Sequence, residues 1–323
     1  MDHIEIENWI PYKLATSAGQ SQCHWLHTVG KQFTEPFFDE TILKCRSANN
    51  RYYEFSSVSA LEMTVSWAGG LKEVVPAAFI FHISRCGSTL VSQLLSTMEQ
   101  NTVLSEVPFF DDILRLPFKE PNFTEAEINN LLVSAFKYYA RETAGAVTLQ
   151  KKDLFIKADS WHIFFYRQLR LLYPGVPFIL LYRRPDEVFR SHSKLPGMQA
   201  VPGMIEPQLF GFKPEEIGHD SSIYLANVLT SYLQKYLEIA ANDERCMLIN
   251  YNEGPMEMIK RVASFSNITI SAQALELMEQ RSHYHSKKPG EHFRKEAMAD
   301  IPAHLEKAME LYYILDKKRM AML

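Results

Sequence analysis

Residues 78–95, AFIFHISRCGSTLVSQLL, decide the expected fold. An apolar run suited to a β-strand, Phe79 to Ile83, leads into the short polar loop 84–89, and the loop leads directly into an amphipathic helix. Such a strand–loop–helix unit directs backbone N–H groups at one point, at the positive end of the helix dipole. The segment therefore predicts a binding loop for a phosphate or sulfate group.

The residue types of this loop suit an anion. Gly87 allows the backbone to close around a ligand, Arg85 adds a fixed positive charge, and Ser88 and Thr89 add hydroxyl donors. A nucleoside triphosphatase loop requires a lysine directly after its last glycine, and Ser88 stands at that position here. The alternative interpretation of the segment alone is an ordinary tight turn between a strand and a helix.

The composition limits the possible partners. The 323 residues are 46% hydrophobic and 22% charged, which is typical of a soluble globular protein. A net charge of −4 gives no general attraction to nucleic acid or to an anionic membrane, so an anion site must be local. Four scattered cysteines without a CxxC pair indicate a reducing compartment. Because neither a signal peptide nor an apolar run of about 20 residues is visible, we expect a soluble, cytoplasmic protein.

From residue 76 onward, strand patterns alternate with helical patterns, which indicates an α/β fold with a central parallel sheet flanked by helices. A long helix is expected over 222–241 and another from Ser160 to Pro174. The predicted strands cover 78–83, 102–105, 154–157, 178–182 and 247–251. Residues 1–75 do not continue this pattern, and we expect them to form a small N-terminal cap packed on an α/β domain of residues 76–323.

A second candidate anion-binding element follows the predicted strand 178–182. It reads RRPDEVFRS over Arg183–Ser191, and its Pro185 suits the first position of a helix. Ligands of parallel α/β sheets bind beyond the carboxyl ends of the strands, so Arg183 and Arg85 are expected at the same edge of the sheet. A molecule with two separated anionic groups could bridge them.

The two elements together resemble those of sulfotransferases that use 3′-phosphoadenosine 5′-phosphosulfate (PAPS). The 5′-phosphosulfate loop of that family, Pro-Arg/Lys-Ser-Gly-Thr/Ser-Thr, is similar to residues 84–89, with Ser84 in place of proline and Cys86 in place of a small polar residue. The 3′-phosphate element, Arg-x-Pro-x-Asp-x-x-x-Ser, is similar to Arg183–Ser191, with the acidic position shifted. The resemblance covers roughly residues 76–255 and implies a P-loop-like nucleotide-binding architecture.

The resemblance also implies a reaction: in-line transfer of a sulfuryl group from the co-substrate PAPS to a hydroxyl or amine of a small acceptor, without a metal. Arg85, the backbone of Cys86, Gly87, Ser88 and Thr89, and the two hydroxyl groups of this loop would stabilise the charge that grows on the leaving phosphate. Arg183 and Ser191 would hold the 3′-phosphate, the arginine through a charge-assisted contact.

A general base must take the proton of the attacking acceptor. Glu106 is the candidate, because it lies about twenty residues beyond the loop, and a glutamate at nearly this interval is the base in the carboxylate-using members of the family. His82, His162 and His192 are rivals, although His82 is better placed as a core histidine. Lys157 ends a predicted strand at the same edge and could hold the sulfuryl group or the base; a surface lysine is the alternative interpretation.

Three further segments bear on ligand binding. Lys287 and Lys288 lie in Ser286–Gly290, which resembles the basic segment that closes over the nucleotide in relatives, and a solvated charge run is the alternative interpretation. The acceptor pocket is expected from two loops at the sheet edge, 109–122 and 195–218. Their aromatic and acidic residues would suit an amphipathic or a cationic acceptor.

Two other functions stay open at this point. One is a nucleotide-dependent phosphotransferase on a related scaffold, which the absence of a Gly-Lys-Ser/Thr motif disfavours. The other is a non-catalytic module that binds a nucleotide or a partner. Neither Cys23-His24 with His27 nor the group His283, His285 and His292 has the spacing of a complete ligand set, so no metal is expected. The oligomeric state is not predicted.

Overall fold

The expected parallel sheet is present in the computed structural model, which describes residues 6–17, 20–28, 31–48, 57–140, 153–213, 215, 217–218, 220–282 and 301–323. Within these ranges the strands are β1 (Trp9–Ser17), β2 (Gln20–His27), β3 (Ser57–Ala60), β4 (Ala78–His82), β5 (Asn101–Ser105), β6 (Asp153–Lys157), β7 (Phe178–Tyr182) and β8 (Cys246–Asn250). The five strands β4 to β8 pair in parallel in the order β5-β6-β4-β7-β8. This confirms the predicted α/β class.

Helices cover this sheet. They are α1 (Phe38–Ala48), α2 (Leu61–Ala68), α3 (Ser88–Leu95), α4 (Pro108–Lys119), α5 (Glu125–Tyr139), α6 (Tyr166–Leu172), α7 (Pro185–Lys194), α8 (Ser221–Asn242), α9 (Pro255–Phe265), α10 (Ala272–Ser282) and α11 (Glu306–Ala321). Every residue of β4, β5, β7 and β8 is buried, as unbroken apolar runs predict for strands covered on both faces. The single helix expected from Ser160 is instead a 3₁₀ turn, Ser160–Phe165, that continues into α6.

The sheet order places β4 at its centre, between β6 and β7. Because the strands are parallel, their carboxyl ends meet at one edge, which we call the carboxyl edge. His82, Lys157 and Tyr182 end the three central strands there, and Glu106 directly follows β5. The edge therefore brings together residues that lie far apart in the sequence.

The N-terminal residues form an antiparallel sheet, β1-β2-β3, together with α1 and α2. This sheet was not predicted from the sequence. The Leu14 N–H donates to Asp112 Oδ2 on α4 at 3.0 Å, and the Tyr138 hydroxyl on α5 donates to the Thr64 carbonyl at 2.8 Å. These contacts join the N-terminal elements to α4 and α5, while the domain division at residue 75 stays a prediction.

The interpretation of residues 109–122 as a loop is wrong. Pro108–Lys119 is helix α4, which begins with a proline at its first position. Phe109 and Phe110 are buried in the core and do not line a pocket. Asp111 and Asp112 directly follow the two aromatic residues, and these acids line the candidate cavity while Phe109 and Phe110 pack inside the core.

Candidate functional site

The 84–89 loop has the backbone geometry of a tight anion-binding turn. Ser84, Arg85 and Gly87 adopt positive φ angles of 70°, 51° and 83°. Positive φ is uncommon for residues with a side chain and is stable only where the surrounding structure holds it. Helix α3 begins directly after Gly87, so its first N–H groups, which have no acceptor within the helix, lie at the loop.

Gly87 is required by close packing as well as by its backbone angle. A Cβ at this position would lie 2.8 Å from a ring carbon of Tyr251. The same ring lies under the Arg183 guanidinium, whose central carbon is 4.2 Å from the ring centroid. Tyr251, which the sequence interpretation did not single out, therefore contacts both candidate anion-binding elements.

Cys86 points away from the loop's binding face. Its side chain is fully buried and its Sγ donates to the Leu181 carbonyl at 3.4 Å. Burial raises the pKa of the Cys86 thiol to about 12. The position therefore selects a small side chain that tolerates a buried site, which explains the departure from the serine expected there and leaves only the Cys86 backbone available to a ligand.

Glu106 and Lys157 form an ion pair at the carboxyl edge, with the lysine buried and the glutamate partly exposed to the cavity. Lys157 Nζ lies 2.5 Å from Glu106 Oε1, and the Lys157 side chain is fully buried. The Glu106 N–H also donates to the Lys157 carbonyl at 2.8 Å. Lys157 is thus not the surface lysine of the alternative interpretation: it belongs to the same cluster as the candidate base.

The charge state of Glu106 follows from these neighbours. Burial by itself would raise the pKa of Glu106, but the Lys157 ammonium and the His82 imidazole outweigh burial and hold that pKa well below its usual range. Burial, with Glu106 and Asp111 nearby, instead raises the pKa of Asp159 well above its usual range. Glu106 is therefore a carboxylate at neutral pH, whereas burial and the neighbouring acids favour the protonated form of Asp159.

The three rival histidines occupy different environments. His82 lies beside the candidate base, with Nε2 3.2 Å from Glu106 Oε1. His162 Nε2 lies 3.0 Å from Asp111 Oδ1, and His192 Nδ1 accepts a hydrogen bond from the Gly197 N–H at 3.1 Å. His82 is therefore the histidine closest to the centre of the candidate site.

Arg183 connects the second element to the first. Its Nε donates to Glu187 Oε2 at 2.6 Å, and its Nη1 donates to the Arg85 carbonyl at 3.2 Å. Arg85 in turn donates to the Leu195 carbonyl at 2.7 Å. The two arginines predicted to hold anionic groups thus lie at one edge and face one opening.

A single cavity of about 1250 Å³ contains the loop, the second element and Glu106. At the Arg183 end its lining includes Ser191, Arg190, Lys194, Tyr251 and Asn252. At the Glu106 end its lining includes Phe37, Asp39, Asp111, Asp159 and Trp161. The cavity is therefore cationic at one end and acidic with aromatic walls at the other.

Several lining residues were missed by the sequence interpretation. Phe37 and Asp39 come from the N-terminal region, whose function the sequence did not indicate. Arg190, one residue before Ser191, could have been found as a further cation on α7. Of the predicted pocket loop 195–218, Gly197, Met198 and Gln199 line the cavity, whereas Lys287 and Lys288 lie outside the described residues.

One group of side chains has the spacing of metal ligands. Asp111, Asp159 and His162 offer one ligand atom each, all within 4.8 Å of one another. Asp111 also accepts from Trp161 Nε1 at 2.5 Å and from Arg115 Nη1 at 2.9 Å. The carboxylate thus already has hydrogen-bond partners in the protein. The Cys23-His24 pair lies on a strand, β2, where neighbouring side chains point to opposite faces.

A comparison with solved structures finds likenesses to several sulfotransferases. The sulfotransferase of Alicyclobacillus acidocaldarius is 15% identical, with 77% of this chain and 96% of that chain covered and a TM-score of 0.45. Sulfotransferase STF9 of Mycobacterium avium is 14% identical, with 81% and 80% covered and a TM-score of 0.44. Mouse sulfotransferase SULT7A1, solved in complex with PAP, is 9% identical, with 92% and 84% covered and a TM-score of 0.35.

No protein-family model and no curated protein sequence matches the chain. Within the described residues, no helix is both long enough and apolar enough to cross a membrane. The function must therefore be argued from the residues of the cavity.

Proposed function

We propose that the protein is a sulfotransferase that moves a sulfuryl group from PAPS to a hydroxyl or amine of a small acceptor. One observation carries the proposal: Glu106, paired with the buried Lys157, faces the same cavity as the 84–89 loop and Arg183. A carboxylate base therefore lies beside two cationic elements, which suit the two separated anionic groups of PAPS.

Each residue of the candidate site has a separate role in the proposed transfer. The acceptor oxygen or nitrogen forms a bond to sulfur, the bond from sulfur to the bridging oxygen breaks, and its electron pair stays on the leaving 5′-phosphate. Arg85 and the N–H groups of the 84–89 loop stabilise that charge. Glu106 takes the proton of the acceptor, and Lys157 keeps Glu106 ionised until it does.

Arg183 and Ser191 hold the 3′-phosphate, with Arg190 and Lys194 as further cations at that end of the cavity. Lys287 and Lys288 would close over the nucleotide. No step requires a metal. The four cysteines are buried free thiols, which supports a reducing, cytoplasmic setting.

The acceptor end favours a small molecule that carries a positive charge. Asp39 and Asp159 line it and form no ion pair with a lysine or arginine of the described ranges. The carboxyl groups crowd each other, since Glu106 contributes to raising the pKa of both Asp39 and Asp159. A cationic group of the acceptor would relieve this repulsion, and Trp161 and Phe37 offer apolar walls.

The proposal is tested by transfer of radiolabelled sulfate from PAPS to a panel of alcohols and amines, each offered with and without an added cationic group. We expect transfer to members of the panel, faster for the cationic ones, and a loss of roughly 10²- to 10⁴-fold in kcat for Glu106→Gln. Asp39→Asn should raise KM about two- to fivefold for cationic acceptors alone. Magnesium-dependent ATP hydrolysis without sulfuryl transfer would favour a phosphotransferase instead.

A further inference from the structure

The geometry points to His82 as a positioning residue that ties the 84–89 loop to the base Glu106, one ring nitrogen holding each. This inference rests on the proposed function, because it assigns Glu106 as the base. The two contacts of His82 can be measured without an activity assay. His82 ends the central strand β4 and is 6% exposed. It was expected to be an ordinary core histidine.

The first contact is with the loop backbone. The Ser84 N–H donates to His82 Nδ1 at 3.1 Å. Ser84 has a φ of 70°, a strained conformation for a residue with a side chain, which persists only where its surroundings hold it. The imidazole supplies an acceptor for the N–H at this turn, so it stabilises the shape of the anion-binding loop at its first residue.

The second contact of His82 is with the base, Glu106. The contact with Ser84 determines which ring nitrogen of His82 carries the proton. A neutral imidazole has one N–H, and since Nδ1 accepts from Ser84, the proton lies on Nε2. That nitrogen lies 3.2 Å from Glu106 Oε1. Lys157 Nζ approaches the same oxygen at 2.5 Å. Lys157 Nζ and His82 Nε2 therefore both lie within 3.2 Å of Oε1, and we assign Oε2 as the oxygen that takes the proton of the acceptor.

The consequence is a link between donor binding and base strength. Five groups from different elements face Glu106: Lys157 on β6, His82 on β4, Arg85 in the loop, Asp39 on α1 and Asp159 after β6. Lys157, His82 and Arg85 favour the carboxylate, while Asp39 and Asp159 disfavour it. His82 is the member of this set that also touches the loop backbone through a side chain, so a shift of the loop changes the donors around the base.

Two substitutions separate the two contacts. The amide oxygen of asparagine lies near the Nδ1 position of a histidine, so His82→Asn keeps an acceptor for Ser84 and loses the donor to Glu106. The amide nitrogen of glutamine lies near the Nε2 position, so His82→Gln keeps the donor to Glu106 and loses the acceptor for Ser84. Each variant is thus the control for the other.

We expect opposite results. His82→Asn should bind adenosine 3′,5′-bisphosphate within about threefold of wild type, and the acidic limb of its kcat/KM profile should move to higher pH because Glu106 loses a donor. His82→Gln should keep the acidic limb and bind the nucleotide about fivefold more weakly, as expected for one lost hydrogen bond. An unmoved limb in the first variant, or unchanged nucleotide affinity in the second, would overturn the inference.

Nuclear magnetic resonance tests the same contacts without activity. Protein labelled with ¹⁵N-histidine should show His82 as the Nε2–H tautomer at neutral pH, assigned by the signal that disappears in His82→Gln. The ¹³C titration of the Glu106 carboxyl should give a higher pKa in His82→Asn than in His82→Gln. If the expected tautomer and titrations are found but no sulfuryl transfer occurs, the proposed function fails while the positioning role stands; an Nδ1–H tautomer contradicts the positioning role whatever the activity.

Discussion

Arg183 donates a hydrogen bond from Nη1 to the backbone carbonyl of Arg85 at 3.2 Å, although 98 positions separate the two residues in the chain. Each arginine follows a central strand of the parallel sheet, Arg85 after β4 and Arg183 after β7, and these strands pair directly. The contact therefore joins the two candidate anion-binding elements into one site. It also means that Arg183 supports the loop in addition to facing the cavity.

Gly87 should tolerate no side chain. Gly87→Ala combines a φ of +83° with a Cβ 2.8 Å from the Tyr251 ring, and we expect it to lower the free energy of unfolding by about 3 kcal/mol and to weaken nucleotide binding. Gly211→Ala has nearly the same φ, +81°, with open space around the Cβ, and should lower it by about 1 kcal/mol. Gly175→Ala, exposed and unhindered, should change it by less than about 0.5 kcal/mol. Urea denaturation measures the series, and equal losses for Gly87→Ala and Gly211→Ala would contradict the packing argument.

Glu187 should oppose nucleotide binding. Its carboxylate pairs with Arg183 Nε at 2.6 Å and would repel a phosphate bound at that guanidinium. Glu187→Gln is therefore expected to tighten binding of adenosine 3′,5′-bisphosphate by about two- to fivefold, the scale of a partly exposed ion pair. Titration calorimetry measures this, with Glu125→Gln, exposed on α5 and outside the cavity lining, as the control. Weaker binding in Glu187→Gln would show that Glu187 only orients Arg183.

Lys157 and Glu106 should show strong energetic coupling. Lys157→Met leaves the Glu106 carboxylate without its closest cation, so we expect a loss of about 3–5 kcal/mol in the free energy of unfolding. In Lys157→Met/Glu106→Gln the charge is removed as well, and the loss should be smaller than the sum of the single losses by at least about 1 kcal/mol. The four proteins of this double-mutant cycle are compared by urea denaturation at pH 7. Additive losses would mean that the two side chains do not stabilise each other.

Glu35 should make the N-terminal region sensitive to acid. Burial would raise its pKa, but Lys31 at 2.7 Å, Thr41 and Lys44 lower it to about 2. A depressed pKa stabilises the folded state above the unfolded pKa of about 4.3, and this contribution is lost as the pH falls toward about 2. Glu35→Gln should therefore cost about 2 kcal/mol at pH 7, where solvent screening of the lysines limits the effect, and about half as much at pH 3.

The measurement is urea denaturation of wild type and Glu35→Gln at both values of pH. Glu62→Gln, which replaces an exposed glutamate on α2, serves as the control and should show no such difference. A cost of Glu35→Gln that does not depend on pH would indicate that packing, and not the charge of Glu35, is the source of its stability.

The sequence predicted the parts of the site that depend on local pattern. The strand Phe178–Tyr182 was predicted with its exact bounds, because an unbroken apolar run is a pattern of residues close together in the chain. The position of the site at the carboxyl edge was predicted from the rule that ligands of parallel α/β sheets bind beyond the carboxyl ends of the strands.

What the sequence could not predict depends on contacts between distant residues. Asp39 lines the cavity because the N-terminal elements pack on α4 and α5, and no local pattern signals that placement. His82 looked like a core residue because its strand is fully buried; its role depends on Glu106, which a different strand brings within 3.2 Å. The helix at Pro108–Lys119 was interpreted as a loop; Pro117 lies inside it, at a place where a proline would usually end a helix.

The most direct test of the central claim is calorimetric titration of adenosine 3′,5′-bisphosphate and of adenosine 5′-monophosphate into three proteins. These are wild type, Arg183→Ala and the control Arg245→Ala. Arg245 precedes β8 and therefore lies at the opposite edge of the sheet. A site for a 3′-phosphate should bind the bisphosphate at least roughly tenfold more tightly than the monophosphate. Arg183→Ala should weaken binding of the bisphosphate about 10- to 100-fold and leave binding of the monophosphate unchanged. Arg245→Ala should bind both as wild type does. Equal affinities for the two nucleotides, or bisphosphate binding that survives Arg183→Ala unchanged, would contradict a PAPS-dependent sulfotransferase.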